Sequence, residues 1–194
     1  MKIRIRLSSF FFVFAVLGSS AEANEIYKFD QSHSTIEFSV HQFLGVTHGK
    51  FAKFEGKIDI GREHPENSSV VTHIEVRSID TGMVKRDDHL RSAEFFNVEK
   101  FPEITFSSRS VKRTGPESGD ILGDFTMHGV TRPITLHVKL LTPATETQRT
   151  KWAVTTEPIK RNEFNLMFSQ SAEAVSGISP TVAINIEIEA VRAQ

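Results

Sequence analysis

Near its end the chain reads VAINIEIE (residues 182–189), a strict alternation of apolar and polar side chains. Successive side chains of a β-strand point to opposite faces, so Val182 and the three isoleucines form one apolar row. The stretch ITLHVKL (residues 134–140) repeats the pattern, and so does Ile36-x-Phe38-x-Val40. Alternation of this kind predicts half-buried strands through most of the chain.

Turn-forming residues separate these runs at short intervals, which is typical of an all-β sandwich or barrel. We predict nine strands, of which the first could be an edge of the second: 26–29, 34–41, 50–60, 70–79, 103–111, 120–127, 133–141, 151–159 and 181–190. A closed antiparallel barrel of about eight strands is either just filled by its own side chains or retains room for one small ligand.

One stretch, 85–96, interrupts the alternation. Leu90, Ala93 and Phe96 recur at helical spacing, and Asp87 and Asp88 stand where carboxylates favour the positive end of a helix dipole. The stretch predicts a short helical segment that closes one end of the barrel. The turn after His128 contains Gly129 and precedes a proline, which predicts a hairpin connection there.

The first 23 residues have the features of a secretory signal peptide. Three basic residues are followed by an apolar stretch at 7–18 and by Ala21-Glu22-Ala23. We predict cleavage before Asn24, with a second acceptable site after Ala21, and one mature domain at 24–194. The apolar stretch is shorter than the ~20 residues that span a bilayer, so no stable membrane insertion is expected.

Charge and composition exclude several classes of function. The chain has 23 Lys and Arg against 24 Asp and Glu, and removing residues 1–23 leaves 20 against 23, a formal charge of −3. Such mild acidity disfavours nucleic acid, or an anionic membrane surface, as the main partner. There is no cysteine, and the eight histidines lack the spacing of a metal site, with His41 and His48 missing a third ligand. No nucleophile motif occurs, so we predict no catalytic residue, metal or cofactor.

Phenylalanine dominates the aromatic residues. Four of the 16 Phe lie in residues 1–23, which leaves 12 against one Tyr and one Trp. Phe buries a large apolar area and has no polar group. Such an interior suits a solid core or a cavity for an apolar ligand, and composition alone favours the solid core.

Three blocks of sequence decide otherwise. They are RDDHLRSAEFF (86–96) with FPEITF (101–106), GDFTMHGVTRPI (123–134), and DQSHS (30–34) followed by Phe38. Together they resemble the YceI-like family of periplasmic lipid-binding proteins, in family order across the mature chain. The resemblance implies a periplasmic, extended, lipocalin-like antiparallel barrel that holds a polyisoprenoid or similar long-chain amphiphile, such as an isoprenoid quinone, in its lumen.

On this basis we predict ligand-binding residues on the inward rows of the strands and on the helical segment. They are Phe38, Val40, Phe54, Leu90, Arg91, Phe95, Phe96, Phe106, Phe125 and Phe164. Arg91 or Arg86 could reach an anionic or carbonyl head group. An enzyme acting on a lipid-like substrate in the same lumen, or a solid-cored stress or interaction module, remain the alternatives. A homodimer is compatible with the sequence, because an open barrel edge can pair with a second copy.

One departure from the family pattern concerns backbone conformation. In KRNEFN (160–165), Asn165 stands where the family has Gly. If that position requires a positive φ, Asn is the most tolerant residue after Gly. We therefore expect the turn to be retained.

Overall fold

A computed structural model describes residues 24–144, 148–168, 175 and 177–193. These residues form one α-helix, α1 (Val84–Arg91), and a set of antiparallel strands. The strands are β1 Glu25–Phe29, β2 Thr35–Gln42, β3 Gly45–Phe51, β4 Phe54–Ile60, β5 Ser69–Glu75, β6 Ile79–Asp80, β7 Glu103–Arg113, β8 Ser118–Met127, β9 Val130–Thr142, β10 Arg149–Thr156, β11 Ile159–Lys160 and β12 Thr181–Arg192.

Eight of these strands close into a ring. The order is β1-β4-β5-β7-β8-β9-β10-β12, and β12 pairs back onto β1. Every neighbouring pair is antiparallel. Strands β2, β3 and β6 continue the sheet outward from β12. The predicted lipocalin-like barrel of about eight strands with one short helix is therefore confirmed.

Strand β12 pairs with both β1 and β2 along the same edge, through different residues. The two strands β1 and β2 are therefore separate. Ala190 pairs with Phe29 of β1, whereas Glu187 pairs with Thr35 of β2. Between them the Asp30 N–H donates to the Glu189 carbonyl at 2.8 Å. The first predicted strand is thus a strand of its own and not an edge of the second.

Hydrogen bonds hold this β1–β2 junction. Ser32, the Arg149 guanidinium and His33 all hydrogen-bond the Asp30 carboxylate, and they hold its pKa well below the usual range. Arg149 also donates to Glu189. The junction is thereby tied to β10 and β12 by charge-assisted bonds.

The predicted strand at 50–60 is wrong, because it is two strands. The chain turns at Ala52–Lys53, and β3 pairs backward with β2 in a hairpin that the sequence interpretation missed. Gly49 in β3 lies directly under the ring of Phe38, and any side chain at Gly49 would collide with it. The absence of an apolar row in β3 removed the alternation on which the prediction depended.

The helical segment is shorter than the spacing of apolar residues predicted. Helix α1 ends at Arg91, and Phe95 and Phe96 lie in the turns that follow, both buried. The Phe96 N–H donates to the Leu90 carbonyl at 3.0 Å. Asp87 is itself buried and accepts hydrogen bonds from the backbone N–H and the hydroxyl of Thr81. It therefore anchors the helix to the preceding loop as well as lying in its first turn.

Two predicted turns are confirmed by their backbone angles. His128 and Gly129 have φ of 51° and 75°, which closes the β8–β9 hairpin with two left-handed residues. Asn165 has φ of 56° and ψ of 27°, the left-handed conformation expected where the family has Gly. Asn tolerates this conformation because its short side chain can hydrogen-bond locally.

The barrel has two distinct ends. The helix end carries α1, the β2–β3 turn and the β8–β9 turn, and there the ring of Phe101 packs against His128 with 4.5 Å between centroids. The far end carries the loop at 61–68 and the β7–β8 turn at 114–117. Antiparallel connectivity places successive turns at opposite ends, so the barrel axis runs from one group to the other.

Candidate ligand-binding site

A cavity of about 750 Å³ occupies the interior of the barrel. All eight ring strands contribute to its wall, and β2 and β3 extend it at the helix end. Exposed residues line it at both ends: Lys85 and His89 of α1 at the helix end, and Arg62 and Glu117 at the far end. The cavity therefore reaches the surface at both ends of the barrel. Its volume lies in the range of sites that bind a small molecule.

The solid core favoured by composition is therefore wrong, and three glycines supply the physical reason. The rings of Phe29, Phe38 and Phe106 lie over Gly56, Gly49 and Gly123 of neighbouring strands. A ring that lies on a glycine covers the wall of the barrel and does not reach its axis. The phenylalanines therefore line the lumen without filling it.

The apolar rows of the sequence form much of this wall. Every member of the row Val182, Ile184, Ile186 and Ile188 faces the cavity, and so does every member of the row from Ile134 to Leu140. These aliphatic residues were absent from the predicted set of ligand contacts. The alternation that revealed the strands could have identified them, because all inward rows of a barrel share one lumen.

Seven of the ten predicted ligand-binding residues lie in the cavity wall. They are Phe38, Val40, Leu90, Phe95, Phe96, Phe106 and Phe125. The other three do not contribute to it. Phe54 is buried in the hydrophobic core opposite Ile74. Phe164 packs behind Phe125, with 5.5 Å between ring centroids.

Arg91 points away from the cavity. Its guanidinium donates to the Ile79 carbonyl at 2.7 Å and to the Arg77 carbonyl at 2.8 Å, and it pairs with Asp88. These bonds hold the chain that leads into α1. Of the two arginines proposed to reach a head group, only Arg86 lines the cavity.

Polar groups gather at the two ends of the cavity. At the helix end, the Arg86 guanidinium donates to the hydroxyl and the carbonyl of Thr81, at 2.7 and 2.8 Å. It also reaches the Thr47 hydroxyl at 3.4 Å, and Gln42 donates to the same hydroxyl. At the far end, Arg113 donates to the carbonyls of the β7–β8 turn. The arrangement is an apolar tube with polar mouths, which suits an amphiphile.

A buried arginine, missed by the sequence interpretation, also lies in the wall. Arg161 is 4% exposed, and its guanidinium donates to the Ser179 carbonyl at 2.7 Å and to the Leu166 carbonyl at 3.0 Å. These bonds join the segment after β11 to the segment that enters β12. The sequence analysis assigned roles to Phe164 and Asn165 of the same block and none to Arg161.

Trp152, the single tryptophan of the chain, lines the cavity as well. It lies on β10 between Leu140 and Ile188, its cross-strand partners. Its indole nitrogen is covered by protein atoms and has no hydrogen-bond partner within the described residues. The fluorescence of this protein therefore reports on the cavity wall.

One group of side chains has the composition of a metal site. Asp30, His33 and Glu189 bring potential ligand atoms within 4.8 Å of one another. The Arg149 guanidinium donates to both carboxylates, so one of their two negative charges is already compensated. The group belongs to the β1–β2 junction and does not line the cavity.

An eight-stranded antiparallel barrel with a continuous apolar lumen defines a lipocalin-like binding barrel. Residues 27–190 match the model of the YceI-like domain, and the chain belongs to the YceI-like family.

Curated relatives agree with this assignment. Protein YceI of Salmonella agona is 43% identical over 138 residues, 67% of this chain and 70% of that protein. Protein YceI of Salmonella arizonae is 44% identical over 126 residues, and the match spans 63% of this chain and 64% of that protein.

Solved structures share the fold. BcnA of Burkholderia cenocepacia superimposes with a TM-score of 0.75 at 22% identity, covering 83% of this chain and 98% of that one. The YceI protein of Campylobacter jejuni gives a TM-score of 0.64 at 26% identity, covering 75% and 84%. A polyisoprenoid binding domain from Saccharophagus degradans gives 0.62 at 17% identity, covering 86% and 98%.

Proposed function

We propose that this protein binds a polyisoprenoid or similar long-chain lipid, such as an isoprenoid quinone, in the lumen of its barrel. The observation that carries the proposal is the continuous apolar cavity of about 750 Å³ with polar groups at its mouths. The structural relative from Saccharophagus degradans is described as a polyisoprenoid binding domain, which supports the same ligand class.

Apolar burial alone supplies enough affinity for this role. A cavity of about 750 Å³ holds about 25 non-hydrogen atoms if each takes the ~30 Å³ that a water occupies in the liquid. At ~0.3 kcal/mol per atom this amounts to about 8 kcal/mol, a dissociation constant of about one micromolar. A longer tail would extend through an open end. Specificity for the head group is then a small addition, consistent with a carrier or store.

Binding without chemistry is the reading that the wall of the cavity supports. Its middle section is apolar apart from Thr72 and Thr156, and the Thr156 hydroxyl is already donated to the Thr135 carbonyl. Within the described part of the chain, no nucleophile and base converge on this section. The structural relative from Saccharophagus degradans is described as a binding domain, which supports a role other than catalysis.

Trp152 provides the direct test of lumen binding. Decylubiquinone should quench its fluorescence saturably, because the quinone is held beside the indole, and geranylgeraniol should restore the signal by competition. A quinone without a tail should quench only in proportion to its concentration. Equal, unsaturable quenching by both quinones would contradict binding in the lumen. Free N-acetyltryptophanamide, titrated with the same quinone, controls for light absorbed by the quinone itself.

We further propose that the protein acts in the periplasm after export. Residues 1–23 lie outside the described part of the chain, and their basic, apolar and Ala-x-Ala segments support the proposal. The mature domain, 24–194, should begin at Asn24, which N-terminal sequencing of the periplasmic fraction measures. The double variant Ala21→Gln with Ala23→Gln should block processing, because the cleaving enzyme requires a small residue before each of the two candidate cleavage sites. A membrane-retained product that still carries residues 1–23 would contradict the proposal.

A further inference from the structure

Five apolar side chains are more than half exposed in the described part of the chain, and all five lie at the helix end. They are Phe43 at 84%, Leu44 at 96%, Met83 at 57%, Val84 at 75% and Val175 at 88%. We call these five residues the rim. Every other exposed large apolar residue, such as Leu122 at 39% or Leu141 at 44%, is less than half exposed. Exposure of this size in one place marks an interaction surface.

The rim residues come from three segments that contact one another. Gly177 packs directly against Phe43, at the tip of the β2–β3 turn. The Ser179 N–H donates to the His41 carbonyl at 2.8 Å, which fixes residues 177–179 to β2. On the other side, Arg86 of α1 reaches Thr47 of β3. The three segments therefore form one surface.

This surface is continuous with the cavity. Gln42 and Lys85 are the chain neighbours of Phe43 and Val84, and both line the cavity. Ile178, three residues after Val175, lines it too. An apolar molecule leaving the lumen at the helix end would therefore meet the rim next.

The rim is locally basic in a chain whose net charge is −1. Residues 41–49 and 81–86 contain Lys85 and Arg86 and no acidic residue. The acidic residues nearest to these two stretches are engaged, since Asp80 pairs with Lys50 and Asp88 with Arg91. Beside Val175 the sequence carries one acid, Glu173, against the two bases. Asp87 is buried against Thr81. The local charge therefore complements an anionic surface, although the net charge of the whole chain is negative.

We propose that the rim docks reversibly on the anionic phospholipid surface of a membrane, with the helix end of the cavity facing the bilayer. The rim side chains come from three separate segments, and a fluid interface accommodates such anchors without a matching groove. Phe and Leu enter the boundary between head groups and acyl chains, and nearby Lys and Arg add attraction to anionic lipid. No helix of the described residues is long and apolar enough to cross a membrane, so rim docking is peripheral.

Docking would let an apolar cargo move between bilayer and lumen without crossing water. This consequence rests on the proposed function, whereas docking itself does not require a cargo. Delipidated protein is therefore the right material for the test. If the lumen bound no lipid, the Trp152 titration would fail while vesicle binding could still succeed.

The test is co-sedimentation of the delipidated mature protein with phosphatidylethanolamine vesicles that contain phosphatidylglycerol. Two rim variants, Phe43→Ser with Leu44→Ser and Met83→Ser with Val84→Ser, should each weaken binding at least about tenfold, because apolar contact with the interface is lost. The matched control, Leu122→Ser with Leu141→Ser, changes exposed apolar residues of the barrel side and should bind as the parent does.

Two results would overturn the proposal. One is a parent protein that fails to sediment with these vesicles, or that sediments equally with both rim variants. The other is a parent that is a dimer in solution and a monomer once the rim is changed, since a second copy would then cover the surface. Circular dichroism and the melting temperature, each equal to the parent's, verify that every variant is folded.

Discussion

Replacing Phe106 by aspartate is expected to abolish lipid binding, whereas replacing it by leucine should preserve it. Phe106 is 6% exposed and lines the cavity from β7. A carboxylate there would have no partner against a hydrocarbon tail, and burying an unpaired charge is very costly. Leucine keeps the wall apolar at a cost in stability of about 1 kcal/mol. Lipid extracted from purified protein, measured by mass spectrometry, distinguishes the two variants.

The control for this experiment introduces the same charge on the outside of the barrel. Leu122 of β8 is partly exposed and does not line the cavity, so Leu122→Asp should carry the parental lipid load. The comparison uses folded protein, verified by circular dichroism, because Phe106→Asp should also lower the free energy of unfolding by about 4 kcal/mol. Parental lipid load in a folded Phe106→Asp variant would contradict binding in the lumen.

Replacing Arg161 by methionine should strongly destabilise the barrel. Methionine has a similar length but leaves the carbonyls of Ser179 and Leu166 without this donor. An unpaired buried acceptor costs about 1–3 kcal/mol, so the loss should reach about 2–5 kcal/mol. For a domain of this size the melting temperature should fall by about 10 °C. Thermal unfolding followed by circular dichroism measures the change.

Two companion variants show whether geometry or charge matters at Arg161. Arg161→Lys keeps the charge but cannot reproduce the fork of donors, so its melting temperature should lie between those of the parent and the methionine variant. Lys160→Met alters an exposed neighbour whose ion pair with Glu163 lies in solvent, and should change little. Equal melting temperatures for Arg161→Met and the parent would show that the hydrogen bonds from Arg161 to Ser179 and Leu166 contribute no stability.

The strands of the ring were predictable because their alternation is strong. The inward rows of β9 and β12 are unbroken Ile, Leu and Val, and a period of two is the direct signature of a half-buried strand. Strand β3 was not predictable in this way. Its sequence, GVTHGKF, carries no apolar row, since Gly49 replaces a side chain where the ring of Phe38 lies. Its formation depends on pairing with β2 in the hairpin, and the alternation of side chains gives no sign of that pairing.

The candidate site likewise contains residues that the alternation predicted and residues that it could not predict. Of the seven predicted residues in the wall of the cavity, four lie on strands, where an inward row must face the lumen, and three belong to α1 and the turns after it. Arg91 shows why the others could not be placed. Its position in the helix allows the side chain to point either into the lumen or toward the loop before the helix. Hydrogen bonds to the carbonyls of Arg77 and Ile79 hold it on the loop side. A hydrogen-bond partner distant in sequence leaves no periodic signal.

The sequence by itself determined the class of fold, the family and the left-handed turn at Asn165, because alternation and turn preference are local properties of the backbone. Only the tertiary structure decided that the barrel is hollow. Phenylalanine content is the same for a filled and a lined interior, and the difference lies in where each ring rests. Pairing of neighbouring strands brings Gly49, Gly56 and Gly123 beneath the aromatic rings of Phe38, Phe29 and Phe106, so the barrel axis stays open for a ligand.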